Sequence, residues 1–382
     1  MKTVILYAYP PEPDGLSMQG HMLYRGMKEN GQWVLPANSG SEFHKNWIFK
    51  NFNPDVALGV GQWSFTPDII EHPAVWGVTP VPWLVANGWV ANYQDTLSSL
   101  PLVFSTSDWV TQTYERDGVD TKNFETLQIG LNINNHRPIP KTHPKVRAIR
   151  ELLGIREDEV VIMTAGGDVT SKGAQEVFKA LKKVNQEFKN WKYVCKVWGG
   201  ASADDHYEDE MRLIRDISED AEDKVVYVDG SFPVEFMPYF LAICDVYIAP
   251  SRLEGFGMIQ VEAQACGKPV ISIDAMGPKE TIKHGETGFL AKVASTVDLT
   301  EEWAYKFMGF EEDHKIYFDK PKTFAYRADV DELAKYLLLL LTNPNLREKM
   351  GHQARKHAVL NFEYHYIADK ATKIMKERFR LK

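Results

Sequence analysis

Three cysteines stand in 382 residues, at 195, 244 and 266, each among apolar or small neighbours. An odd, widely spaced set builds no disulfide framework and no zinc spacing, so they read as reduced core thiols of a cytoplasmic protein. Basic charge is not in excess either: 44 Lys+Arg face 52 Asp+Glu, a net charge of −8. With no positive surplus to neutralise a phosphate backbone, general nucleic-acid binding is disfavoured. No run reaches the roughly 18 uncharged apolar residues of a spanning helix. The opening apolar run, Val4–Tyr9, ends in Pro10-Pro11-Glu12 with no small-residue cleavage site, so it reads as a first strand rather than a signal peptide.

What is present is an ordinary globular composition, 44% hydrophobic and 25% charged, long enough for two domains. Short apolar runs alternate with helical patterns: Val4–Ala8, Val56–Val60, Val75–Val78, Leu102–Phe104 and Thr126–Ile129, then Val160–Thr164, Tyr193–Val197, Val225–Val228, Val246–Ala249, Val270–Ile273 and Gly288–Leu290. Continuous Val/Ile/Leu runs suit strands covered on both faces, and their alternation with helices predicts two doubly wound parallel-sheet α/β domains. The Pro-rich break at Asn134–His143 separates residues 1–140 from 141–361. Val293–Arg327 lacks a clean period and looks inserted before a helix at Val330–Leu341. The C-terminal stretch reads as one or two amphipathic helices whose basic end leaves peripheral membrane contact open.

Three strand ends carry glycines before a helix, the arrangement in which backbone N–H groups and the helix dipole receive a phosphate. They are Pro10–Ser17 with Gly15 and a Ser17 cap, Ala165–Gly173 with Gly166, Gly167 and Lys172, and Pro250–Gly257 with Gly255, Phe256 and Gly257. None is a dinucleotide fingerprint, since Gln260 follows Gly255-Phe256-Gly257 where a glycine is required, and Lys172-Gly173 reverses the order of a Walker loop. Glu254 in the loop and Glu262 inside the helix would flank a diphosphate at the helix N-terminus, each accepting from a pair of vicinal hydroxyls, one set on a sugar and one on a ribose. Asp329-Val330-Asp331 has the form of a metal-binding D-x-D, but an N-cap with a first-turn acid explains it better, and no metal site is assigned. Asp204-Asp205-His206 reads as a solvated loop. Trp76, Trp83, Trp89 and Tyr93, with Asn87 and Asn92, could present aromatic faces and amides to a sugar acceptor.

Ser251–Ile271, Gly277–Ile282 and Gly285–Leu290, with Ser107–Val110, Gln128–Pro138 and Lys172-Gly173, resemble retaining glycosyltransferase family 4 and its E-x7-E signature. The resemblance covers nearly the whole chain. It implies a GT-B architecture, two Rossmann-like domains facing across a cleft, with a last helix of about 362–382 returning to the first. It implies a metal-independent hexosyltransferase that moves a sugar from a nucleotide diphosphate such as UDP or GDP to a carbohydrate or other hydroxyl acceptor, with no cofactor. Glu254 is then expected at the donor sugar, Gly255, Phe256 and Gly257 at sugar and phosphate, and Glu262 at the ribose. Lys172 would neutralise the leaving diphosphate, with Gly166 and Gly167 in its loop and Gly15 approaching from the first domain. His21, Trp83 and Asn87 are the candidate acceptor residues.

Two positions depart from the family pattern. Gly167 stands where an Arg is usual, leaving one diphosphate cation to Arg252, Lys196 or another residue. The stretch Val78–Trp83 lacks the His often found there. These departures keep a catalytically weak sugar-nucleotide-binding subunit open as an alternative, beside a GT-B epimerase or phosphorylase. The chain alone leaves base, sugar, acceptor and oligomeric state open.

Overall fold

The computed structural model describes residues 1–86 and 88–381. The chain divides into two compact units: Met1–Asn132 with Asp298–Phe324 and Phe362–Lys382, and Ile133–Val297 with Ala325–Asn361.

The first unit holds a six-stranded sheet: β1 Lys2–Tyr7, β2 Trp33–Asn38, β3 Val56–Gly61, β4 Thr79–Leu84, β5 Val103–Ser105 and β6 Phe124–Thr126. Its order is β2-β1-β3-β4-β5-β6, every pair parallel. β3 is buried at all its positions, as an apolar run with helices on both faces requires. The second unit repeats the plan with β7 Val160–Ala165, β8 Trp191–Val197, β9 Val225–Asp229, β10 Val246–Ile248, β11 Val270–Ile273 and β12 Gly288–Ala291, in the order β12-β11-β10-β7-β8-β9, again parallel. Two α/β units with doubly wound parallel sheets are the GT-B plan.

Several local expectations are corrected. Val75–Val78 is not a strand: His72–Val75 is helical, and the strand starts at Thr79 as β4. β2 was not expected, because Pro36 and the exposed Trp33 break its apolar run. Asp14, not Ser17, caps the helix Gly15–Glu29, its carboxylate accepting from Ser17 N at 3.0 Å. Asp204-Asp205-His206 lies within the helix Ala201–Arg215 rather than in a loop.

The aperiodic segment after β12 is a two-stranded ribbon, β13 Val293–Ala304 and β14 His314–Ala328. Its stretch 298–324, left with the second domain by the sequence reading, groups with the first unit. There Leu299, Met308, Phe318 and Phe324 pack on a core that includes Trp63, Trp89 and Val90. The last helix, Tyr364–Phe379, also joins the first unit and lies along Gly15–Glu29. Tyr364 OH donates to Glu29 Oε2 at 2.5 Å, and His365 Nε2 approaches the same oxygen at 2.8 Å. Asp329 caps the helix Val330–Thr342, accepting from Glu332 N at 2.9 Å, and Asp331 pairs with Lys183, so this D-x-D is a helix start. All three cysteines are free and buried. Among the described residues no helix is long and apolar enough to cross a membrane.

Candidate active site

In the second sheet, β7 has β10 on one side and β8 on the other, so the chain reverses its winding at the β7–β10 edge. Loops leaving the C-terminal ends of two such strands diverge, and the crevice between them is where open α/β sheets receive ligands. The loops leaving β7 and β10 are Gly166–Gly173 and Ala249–Gly257. Beneath them the strands are tied side chain to backbone: Tyr247 OH donates to Ala165 O at 3.2 Å, and Thr164 Oγ1 donates to Ile248 O. Above, Arg252 N donates to Ser171 O at 2.9 Å and joins the two loops directly.

Glycine is required where these loops touch. Gly173 has φ +86°, and a Cβ there would lie 2.4 Å from Pro250 O. At Gly166 a Cβ would meet the Lys172 side chain at 2.8 Å, so the bare backbone lets the lysine stem pass across it. Lys172 Nζ thereby reaches Glu254 Oε2 at 2.7 Å. The other carboxylate oxygen of Glu254 accepts from Gly257 N at 3.0 Å, at the start of the helix Met258–Ala265. That helix is pinned on its buried side, where Gln260 donates to Ala249 O at 3.1 Å and Gln264 to Thr281 O at 3.0 Å. Phe256 is buried, and Gly277 lies against the Gly255 carbonyl, where a Cβ would stand 2.5 Å away.

Glu262, on the same helix, keeps 14% of its side chain open to solvent. Its carboxyl otherwise sits in dense surroundings that push its pKa up to about 8, because burial disfavours the charged form. His136 Nε2 stands 3.8 Å from Glu262 Oε2. The carbonyl of His136 is held by Arg355, whose Nη1 donates to it at 2.5 Å and to Ala265 O at 2.9 Å.

The second unit therefore brings Gly166, Gly167, Lys172, Glu254, Gly255, Phe256, Gly257 and Glu262 to one sheet end. Gly15, His21 and Trp83 belong to the first unit. Gly15 opens its helix, and His21 Nδ1 lies 3.3 Å from Tyr7 OH, with burial and then Arg25 lowering the imidazole pKa. Trp83 corrects an expectation: it is fully buried, its indole N–H donating to Leu127 O at 2.8 Å, so it packs the core and offers no face to a sugar. Trp89 is likewise buried against Trp63 and Phe318. Asn87 lies outside the described residues.

Arg252 does not face the crevice as a free cation. Its guanidinium is held by Glu176 Oε1 and Gln175 Oε1, each at 2.9 Å. Sequence reasoning missed His136 beside Glu262, and Glu210, a buried acid that receives Thr170 Oγ1 and, at 2.5 Å, Tyr227 OH. Burial raises the Glu210 pKa. No spacing rule finds such partners, because they come from separate elements.

Residues 145–317 match the family described as glycosyl transferases group 1. The chain resembles that family over this stretch, which is less than half of its length. It is 27% identical over 230 residues to a D-inositol 3-phosphate glycosyltransferase of Rhodococcus erythropolis, covering 60% of this chain and 49% of that one. It is 25% identical over 265 residues to a GDP-mannose-dependent monoacylated alpha-(1-6)-phosphatidylinositol monomannoside mannosyltransferase of Corynebacterium glutamicum, covering 67% of this chain and 57% of that one. The chain thus spans about half the length of these relatives. Among solved structures, Anabaena HepE in complex with UDP and glucose superposes with a TM-score of 0.73 at 14% identity, over 99% of this chain and 100% of that one. The sucrose-phosphate synthase of Thermosynechococcus elongatus gives 0.75 at 14% identity over the whole of both. At that identity these likenesses speak for the fold.

Proposed function

We propose that the chain is a group 1 glycosyltransferase, a retaining, metal-independent hexosyltransferase that moves a sugar from a nucleotide-diphosphate sugar to a hydroxyl acceptor. The observation that carries the reading is the Glu254 carboxylate, placed between the Lys172 ammonium at 2.7 Å and the Gly257 N–H at 3.0 Å, at a helix start facing the sheet's switch point. An ammonium and backbone donors fixed there are suited to the charge that develops on a departing diphosphate, with no reorganisation needed. In this reading Glu254 receives hydroxyls of the donor sugar and Glu262 those of the ribose. A relative whose name specifies a GDP-mannose donor and a structural neighbour in complex with UDP and glucose support a nucleotide-sugar donor and leave the base open.

Turnover of UDP-glucose and GDP-mannose in the presence of EDTA, followed by proton NMR of the first-formed anomer, tests this. Both donors are α-linked, so an α product is expected, and its formation should fall at least about 100-fold in Glu254→Gln. A β product, or turnover that needs added metal, contradicts the reading. The alternative of a weakly catalytic binding subunit draws on Gly167. It predicts nucleotide binding without turnover unless a partner protein is added.

A further inference from the structure

Among the described residues three lysines are more than nine-tenths buried. Lys45, fully buried, has its ammonium on Asp68 Oδ1 at 2.9 Å and on Asp68 O at 3.1 Å. Lys192, 9% exposed, donates to Asp223 O at 2.8 Å and Gly154 O at 3.4 Å. Lys196 is 5% exposed, and among the described residues its ammonium meets only ring faces: Trp198 at 4.7 Å and Phe232 at 5.8 Å from the centroids. Asp229 contributes at longer range, and its Oδ1 is committed to Gly199 N at 2.5 Å. A buried ammonium without an oxygen acceptor is costly, and burial lowers its pKa to about 8. Aromatic faces supply only part of what water would give it.

Its position gives that cost a use. Lys196 lies on β8 opposite Ala165 of β7, and its carbonyl accepts from Gly166 N at 3.1 Å, so its backbone is bonded to the first residue of the glycine loop. Trp198, two residues on, links the same two places. Its N–H donates to Gly167 O at 3.0 Å, and its indole lies 3.1 Å from where a Gly167 Cβ would be, while the ring also meets the Lys196 ammonium. A long side chain at 167 would collide with this indole. Trp198 is 40% exposed while its ring meets the buried Lys196 ammonium, so it stands at the boundary between the lysine and solvent.

We infer that Lys196 supplies the second cation for the diphosphate of the donor, under the Trp198 indole, with Gly167 kept free of a side chain to make room for that ring. The inference rests on the donor-site reading above. An anionic phosphate provides the oxygen acceptors the ammonium lacks, and the desolvation already in place strengthens the contact.

Two roles for a buried lysine separate on replacement by Met, which suits its aromatic surroundings. If the charge exists for a ligand, Lys196→Met removes an unpaired buried charge and raises the thermal midpoint of the free protein. If the lysine is structural, the midpoint falls. The binding arm uses calorimetric titration with UDP, GDP, ADP and dTDP, and with the monophosphate and nucleoside of whichever binds. Lys196→Met should lose about 10–100-fold in affinity for the diphosphate and keep nucleoside affinity within a few-fold, whereas Lys196→Arg should retain most of the diphosphate affinity. Unchanged diphosphate affinity in Lys196→Met overturns the inference alone, as does an equal loss for nucleoside and diphosphate, which would make Lys196 a prop for Trp198. Should Lys196→Met not fold, the lysine is structural and the inference fails. A wild-type protein that binds none of the four overturns the donor-site reading with it.

Discussion

Glu254 and Glu262 are the same residue type eight positions apart, yet their surroundings separate them. Glu254 has an ammonium and a backbone N–H for its two oxygens, whereas Glu262 is packed until its carboxyl titrates near 8. The direction of the Glu262 shift fixes a stability effect. The folded chain holds this proton above the usual carboxyl range and the unfolded chain does not, so stability declines as pH rises from about 4.5 through about 8. Glu262→Gln carries no such proton. It should match the wild type near pH 5 and exceed it at pH 9, with about 2–4 °C in Tm for each kcal/mol regained. Thermal scans at the two pH values check this, and equal differences at both would refute it. Lys172→Ala should weaken nucleoside-diphosphate binding by about 10–100-fold, read by calorimetry, since it deletes a charge-assisted contact.

At the scale of elements, the parallel strands and the two glycine loops of the second unit were legible because their physics is local. A doubly buried strand must be continuously apolar, and a loop that meets another backbone must be glycine, as at Gly173 against Pro250. β2 was not legible, since Pro36 and Trp33 obscure its run, and neither was the ribbon, whose strands carry exposed acids and aromatics rather than a regular alternation. The acceptor expectation at Trp83 failed because tryptophan beside amides reads alike whether its face is open or, as here, wholly enclosed.

The ribbon has a definite task within the first unit. Asp117, its side chain 1% exposed, receives Lys322 of the ribbon at 2.6 Å, Val90 N at 2.6 Å and Arg116 at 2.9 Å. Arg116 in turn donates to Gly88 O at 2.5 Å, so the segment after β4 is held from two sides. Asp117→Ala leaves these donors without their acceptor and should cost about 1–3 kcal/mol. Urea unfolding measures the loss, and faster hydrogen exchange at the Val90 amide would place it in this segment. An unaltered Val90 amide would contradict the bracing role.

For the whole molecule, the chain repeats one α/β plan twice and gives the repeats different contents. The first unit gathers the ribbon and the last helix around its sheet, while the second carries the paired loops, Lys172, Glu254 and Glu262. The partners that complete the second site, such as His136 at Glu262 and Trp198 at Gly167, come together only on folding. That is why the sequence pointed to the signature residues and not to the pairing of His136 with Glu262 or of Trp198 with Gly167. The central claim is that this sheet end receives a nucleoside diphosphate, and calorimetric titration of the intact protein with UDP, GDP, ADP and dTDP in EDTA tests it most directly. One clear binder, weakened in Lys172→Ala and Glu262→Ala, is the expected result; a folded protein that binds none of the four would contradict the account.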